Sequence, residues 1–412
     1  MTQNIPAFDV AIIGSGIAGS ALACALNNTD LKVVVIEGGT LPDQAPTCDS
    51  RLDAFDPRVS ALTRASESFL EQLGIWPRIS ALRSQMFDSM YVWDGEGTGN
   101  IQFDAREIHQ SHLGTLVENR VIVYSLVEEL QMSPNVKFLQ GVKVRGIVSQ
   151  TVGGDKHPTH VIELDQDRQV KAGLVVGADG ANSFVRQTMD FKTREWDYGH
   201  HGLVCTIQTE KPHQNTAWQR FMHTGPCALL PLPDGENGEH FCSIVWSASV
   251  EEANRLMALD DQEFCDTLTS ATESCLGNVV GASRRFSFPL RQRHALDYVQ
   301  DGIALVADAA HTIHPLAGQG INLGLQDVRV LAEELLRAHR SGHRIGDLRV
   351  LSRYQRRRKG DNLMMMTVME GFKHLFGQQS LAVSWIRHLG MAGVGQVVPL
   401  KRQIMKQAMG VR

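Results

Sequence analysis

The chain has 412 residues, a formal net charge of −5, 43% hydrophobic residues and 21% charged residues. That length accommodates two or three domains around a substantial core, and the apolar-to-charged balance is that of a soluble globular protein. The mild acidity excludes a general nucleic-acid binder, which carries a strong basic excess. Seven scattered cysteines with no CxxC pair and no zinc spacing read as reduced thiols of a cytosolic protein. The N-terminal MTQNIPAFDV lacks a signal-peptide pattern, and no apolar run approaches the ~18 residues that span a bilayer.

The chain opens on a βαβ unit. DVAIIG is an apolar strand-length run, IAGSALACALNN suits a helix pressed on a sheet, and KVVVIE is a second buried strand ending in an acid. Strands apolar on both faces indicate a parallel sheet covered by helices. Between them GSGIAG places Gly14, Gly16 and Gly19 in GxGxxG spacing, with Ser15 and Ala18 inside the fingerprint. The first glycine permits the tight turn, the second lets backbone approach a pyrophosphate, and the third allows close helix–strand packing. The helix start offers unpaired N–H groups to phosphate, and Glu37 is placed to accept from a ribose.

Further along, RVSALTRASESFLEQLGIW is read as an amphipathic helix ending near Gly74, and LVENRVIVYSLVEELQ as another. LVVGADGANSFVRQ is a strand, a glycine turn and a helix start. Residues 196 to 290 carry short β-rich runs and turn signals, predicting a largely antiparallel sheet. DGIALVAD restores the buried parallel-strand pattern, and after Gly320 the chain is mostly helical. The predicted organisation is a discontinuous dinucleotide-binding domain (1–75, 110–190, 290–345), a β-rich substrate domain (76–109, 191–289) and a helical C-terminal segment (346–412).

With GxGxxG and Glu37, GADGANSFVR and GIALVADAAHTIHPLAGQGINLG standing in this order, the chain resembles the group A flavin-dependent aromatic hydroxylases of the p-hydroxybenzoate hydroxylase type. Within them it is most similar to the ubiquinone-biosynthesis hydroxylases of the UbiH/UbiF/UbiI group. RVSALTRASESFLEQLGIW, HLGTLVENRVI, CSIVWS, AHTIHPLAGQGINLG and RYQRRRK carry the likeness nearly end to end. The resemblance implies an α/β (α+β overall) fold, with a Rossmann-type FAD domain, an inserted β-rich substrate domain and a helical C-terminus. It implies FAD, O2 as co-substrate, and NAD(P)H or a protein electron donor as reductant.

Carried over residue by residue, the resemblance implies that Gly14, Gly16 and Gly19 hold the FAD pyrophosphate and Glu37 the adenosine ribose. Arg58 and Arg120 match positions near the diphosphate, and Asp179 and Gly180 form the DG turn. Asp308 would bond the ribityl chain. The run through Pro315, Gly318, Gly320, Ile321 and Asn322 would pass the isoalloxazine ring. Ala307 stands where the family has glycine. If that position only needs close packing, alanine adds one methyl; if it needs positive φ, the strain is of order 1 kcal/mol.

His311 and His314 are the catalytic candidates. HxxH suits one helix face, but a metal site would need a third ligand that nothing nearby supplies. A role beside the flavin and a purely structural role at the turn both stay open. The implied reaction is ring hydroxylation of a polyprenylated phenol. HHGLVCTIQTE and CSIVWSASVEEA lean toward C5 of a 2-polyprenylphenol, while RHALDYVQ and AWQRF resemble the demethoxyubiquinol-hydroxylating branch. A non-catalytic flavoprotein scaffold is the rival from another class. From Leu351 onward, eleven Lys/Arg face two Asp/Glu. This basic segment suggests a cytoplasmic enzyme touching the inner membrane face or a multiprotein assembly of the pathway. A homo-oligomer is left open.

Overall fold

The computed structural model describes residues 5–47, 49–95, 97, 99–151, 157–312, 319–377 and 398–410. Strand Ala7–Ile13, fully buried over its second half, is followed by helix Ile17–Ala25 and strand Val33–Glu37. The helix is buried from Ile17 to Cys24, so its small side chains let it lie close to the sheet. Strands 136–140, 33–37, 7–13, 169–177 and 303–305 run parallel in that order, with Val299–Gln300 antiparallel at the edge. An antiparallel pair, Val144–Gln150 and Thr159–Leu164, joins the lower half of strand Gln169–Gly177.

The β-rich stretch, joined by strands Ser89–Asp94, Asn100–Asp104 and His311–Thr312, forms a nine-stranded, mostly antiparallel sheet around the long strand Thr193–Thr209. Leu203, Cys205 and Ile207 face helices Val250–Ala258 and Asp261–Ala271, where Leu256, Phe264 and Leu268 complete a second core. The opposite face carries Ala217, Ala228, Leu230 and Val245 against Val59, Ala61 and Leu116 of a small three-stranded sheet. Helices Gln319–Arg340, Leu348–Gly377 and Val398–Met409 follow.

Two sequence expectations change. The segment read as a single helix begins as strand Val59–Thr63, and the helix spans only Arg64–Gln72. The Thr63 hydroxyl caps it by accepting from Ser66 N–H. Gly74, at φ +75°, ends it as expected. Likewise LVENRV begins as strand Gly114–Glu118, and its helix starts at Asn119.

Candidate cofactor and active site

Three turns meet at one edge of the parallel sheet. Ile13 lies in register with Gly177, and Gly177 with Leu305. The residues after these positions are the glycine fingerprint, the DG turn and the Ala307–Asp308 turn, more than a hundred residues apart in sequence. The carboxyl ends of parallel strands are where such sheets bind ligands.

Gly14 adopts φ +99°, and a Cβ built there would stand 2.5 Å from the Ala178 carbonyl oxygen. The first turn therefore leans directly on the DG turn. At Gly19 a Cβ would come within 1.9 Å of the Gly14 carbonyl oxygen, so helix and turn touch through backbone. Built Cβ atoms at Gly16, Gly180 and Gly320 meet nothing within 4 Å, and those three glycines border open space. Ser15 and Ala18 are buried around the turn.

Glu37 Oε2 accepts from both the N–H and the hydroxyl of Ser15 at 2.8 Å, and Oε1 from Gly39 N–H at 2.8 Å. Partial burial would raise its carboxyl, but the Gly39 and Ser15 donors outweigh this and hold it below the ordinary value. Asp179 Oδ2 accepts from Phe184 N–H (2.7 Å) and Val185 N–H (3.1 Å), capping the short helix Phe184–Thr188. Its Oδ1 is buried with no protein partner among the described residues.

Asp308 has an exposed side chain although protein surrounds it on nearly every side. The surrounding protein pushes its pKa up, Asp327 adds to the rise, and His311 opposes it. Asn322 turns back onto strand Val59–Thr63. Its amide donates to Ala61 O at 2.8 Å and accepts from Thr63 N–H at 2.9 Å, completing the strand's edge. Ile321 packs on the main core.

Arg58 is exposed, and its carbonyl accepts from Asn119 N–H, which places it beside Arg120. Arg120 donates to Glu118 Oε2 (2.9 Å) and Ala54 O (2.5 Å), while Arg83 takes Glu118 Oε1 at 2.5 Å. His314, Pro315 and Gly318 lie outside the described residues.

This set fits a dinucleotide. A fingerprint turn of open backbone, the Glu37 carboxylate below its usual pKa at the end of the second strand and an orphaned buried acceptor at Asp179 offer donor and acceptor sites to one extended polar ligand. A sequence family described as an FAD binding domain matches residues 7–365. The 3-demethoxyubiquinol 3-hydroxylase of Escherichia coli (strain K12) is 36% identical over 98% of each chain. The mitochondrial ubiquinone biosynthesis monooxygenase COQ6 of Danio rerio is 34% identical over 98% of this chain and 90% of its own.

The chain belongs to the FAD-dependent hydroxylases of ubiquinone biosynthesis. In this hydroxylase FAD is the cofactor; O2 and NAD(P)H are typical of the class. Its fold is also that of Pseudomonas aeruginosa PqsL in complex with 2-aminobenzoylacetate, with a TM-score of 0.76 at 21% identity over 94% of this chain and 100% of the other. The p-nitrophenol 4-monooxygenase PnpA of Pseudomonas putida DLL-E4 gives 0.76 at 17% identity over 99% and 100%.

In the hydroxylase, His311 is 1% exposed and its Nε2 donates to Asp327 Oδ2 at 2.5 Å. Burial alone would raise the Asp327 carboxyl, yet His311 and then Arg358 hold it below its ordinary value. An ionised carboxylate can only accept, so Nε2 carries the proton. Asp327 is not among the sequence-derived site residues, Arg186 stands there only as part of GADGANSFVR, and Arg358, grouped by sequence with the basic surface run, is instead buried on Asp327. Arg186 Nη1 donates to Ala309 O at 2.9 Å and Nη2 to Ala181 O at 2.6 Å, joining two of the three turns. A signal existed for Asp327: it interrupts the buried stripe of Leu325, Val328 and Leu331 on an amphipathic helix. An acid at such a position needs a buried partner.

The basic cluster divides. Arg357 pairs with Glu333 (2.6 Å) and Glu334 (2.8 Å), Arg358 is buried on Asp327, and Lys359 donates to Leu296 O. Arg353 and Arg356 are exposed.

Proposed function

We propose that this chain hydroxylates the aromatic ring of a polyprenylated phenol on the route to ubiquinone, with C5 of a 2-polyprenylphenol as the carbon attacked. The observation that carries the reading is the meeting of three turns at one sheet edge, two of them with open glycine surface and the third carrying Asp308. When bound, FAD supplies the redox chemistry that activates O2. The chain's own residues orient and enclose. The N–H groups of Gly16 and of the helix start behind it would hold the diphosphate, flanked by Arg58 and Arg120. Glu37 would take the ribose, Asp308 the ribityl chain, and backbone at Gly320 to Asn322 the polar edge of the ring system. His311, with its Nε2 proton committed to Asp327, holds the turn.

The substrate class is supported by the face of the nine-stranded sheet that turns away from helices Val250–Ala258 and Asp261–Ala271. Gly202 pairs with Phe288 and Val204 with Phe286, so both rings lie on that face. They are 40% and 37% exposed, an apolar surface at its rim. A prenyl tail gains roughly 0.8 kcal/mol per buried CH2 on such a surface, and its packing would exclude water from the ring. A substrate of this kind comes from a bilayer or a partner protein. No helix among the described residues is long and apolar enough to cross a membrane. We assign membrane contact to the exposed Arg353, Arg356 and Leu363 on helix Leu348–Gly377.

The second reading, hydroxylation of a demethoxyubiquinol, is favoured by the 36% identity to the Escherichia coli enzyme of that name. Mass spectrometry of quinone precursors in a deletion strain separates the two. Accumulated 2-polyprenylphenol supports C5 hydroxylation, and accumulated demethoxyubiquinol the second reading. An unchanged ubiquinone profile contradicts both.

A further inference from the structure

The turn from Ala307 to His311 begins at φ +52°, a conformation that alanine disfavours and glycine takes freely. A carboxylate from another element holds it there. Asp327, on helix Gln319–Arg340, is wholly buried. Its Oδ2 accepts from Ala307 N–H at 3.2 Å, where the turn starts, and from His311 Nε2 at 2.5 Å, where it ends. Its Oδ1 accepts from Arg358 Nε at 2.8 Å and Asn362 Nδ2 at 3.1 Å on the next helix. One side chain thus clamps both ends of the turn that carries Asp308, and Arg186 holds the middle through Ala309 O.

The same helix also makes room for the Ala307 methyl. A Cβ built at Gly324 would stand 2.7 Å from Ala307 Cβ but 3.5 Å from its Cα. The first distance is a clash, and the second is ordinary contact. Residue 324 is therefore tied to what stands at 307.

We propose that Asp327 is a positioning residue for the cofactor site. By clamping Ala307 and His311 it sets where Asp308 sits, with Gly324 as the gap that lets alanine occupy the left-handed position. The proposal rests on the reading of this turn as part of the FAD site.

The test titrates full-length apo-protein with FAD, following flavin fluorescence. The variants are Gly324→Ala and Asp327→Asn, each alone and combined with Ala307→Gly, and Asp308→Ala by itself. Gly324→Ala is expected to weaken FAD binding by roughly 10-fold alone and by less than about 2-fold with Ala307→Gly, because neighbours in contact couple. Asp327→Asn is expected to weaken binding by a similar ~10-fold, with part recovered when glycine removes the φ strain. A general effect on helix stability would not depend on residue 307. If Asp327→Asn fails to fold, the 307–324 pair decides. Losses that are equal in both backgrounds, or FAD binding unchanged throughout, overturn the proposal. Asp308→Ala keeps the two readings apart. Unchanged FAD affinity there, with 307–324 coupling present, removes the role of Asp308 and leaves the clamp. Weakened affinity without coupling does the reverse.

Discussion

Ala307 sits at φ +52° with its N–H on a buried carboxylate and its methyl against Gly324. The left-handed region costs an L-residue of order 1 kcal/mol that glycine does not bear. Ala307→Gly should therefore stabilise the protein by about 1 kcal/mol, raising the urea midpoint at unchanged slope. A lower midpoint would mean that the methyl's contacts outweigh the strain.

His294 makes a second residue-scale prediction. Burial, with His311, Lys359 and Arg194 nearby, lowers its pKa from 6.5 to about 4. Between those values the unfolded chain binds the proton and the folded chain does not, so stability falls as pH drops from 6.5 toward 4. The loss from this group is of order 2–3 kcal/mol. His294→Gln should flatten that part of the stability–pH curve; an unchanged slope contradicts it. Residue-level legibility was uneven. Gly14 and Glu37 announce themselves through spacing along the chain, and Ala307 only as a departure from the motif of the family the chain resembles. The partners of Asp327 lie 16 and 31 residues away, and only the packing of two helices and a turn brings them together.

At the scale of elements, strand Val59–Thr63 shows what local pattern misses. Its residues alternate between half-buried and buried, but its partners are strand Gly114–Glu118 and the Asn322 side chain. Neither is visible in a short window, so the run reads as the front of the helix that follows. The basic run of helix Leu348–Gly377 misleads differently, because equal charges have unequal surroundings. Arg358→Met strips a buried carboxylate of one ion partner and should cost about 3–5 kcal/mol in urea unfolding. Arg356→Gln should stay within about 0.5 kcal/mol. The paired change of Arg353 and Arg356 to Gln should instead reduce co-sedimentation with anionic liposomes; binding equal to wild type would remove the membrane contact.

On the scale of the whole molecule, the βαβ opening, the return of a parallel strand near residue 303 and the antiparallel middle were all legible, because buried parallel strands and punctuated β runs have distinct periodicities. The convergence of three distant turns at one sheet edge follows from strand order, which spacing alone does not encode. That convergence and the relatives matched over nearly the whole chain make the molecule an FAD-dependent hydroxylase, and the proposed prenylated substrate rests on the apolar rim of Phe286 and Phe288. The most direct measurement incubates the FAD-loaded protein with a reductant, 18O2 and a short-chain 2-polyprenylphenol. Mass spectrometry should find one 18O atom on the product's ring, at C5 and only when FAD is bound. Reductant consumed with hydrogen peroxide as the sole oxygen product, or a ring oxygen derived from water, would contradict the account.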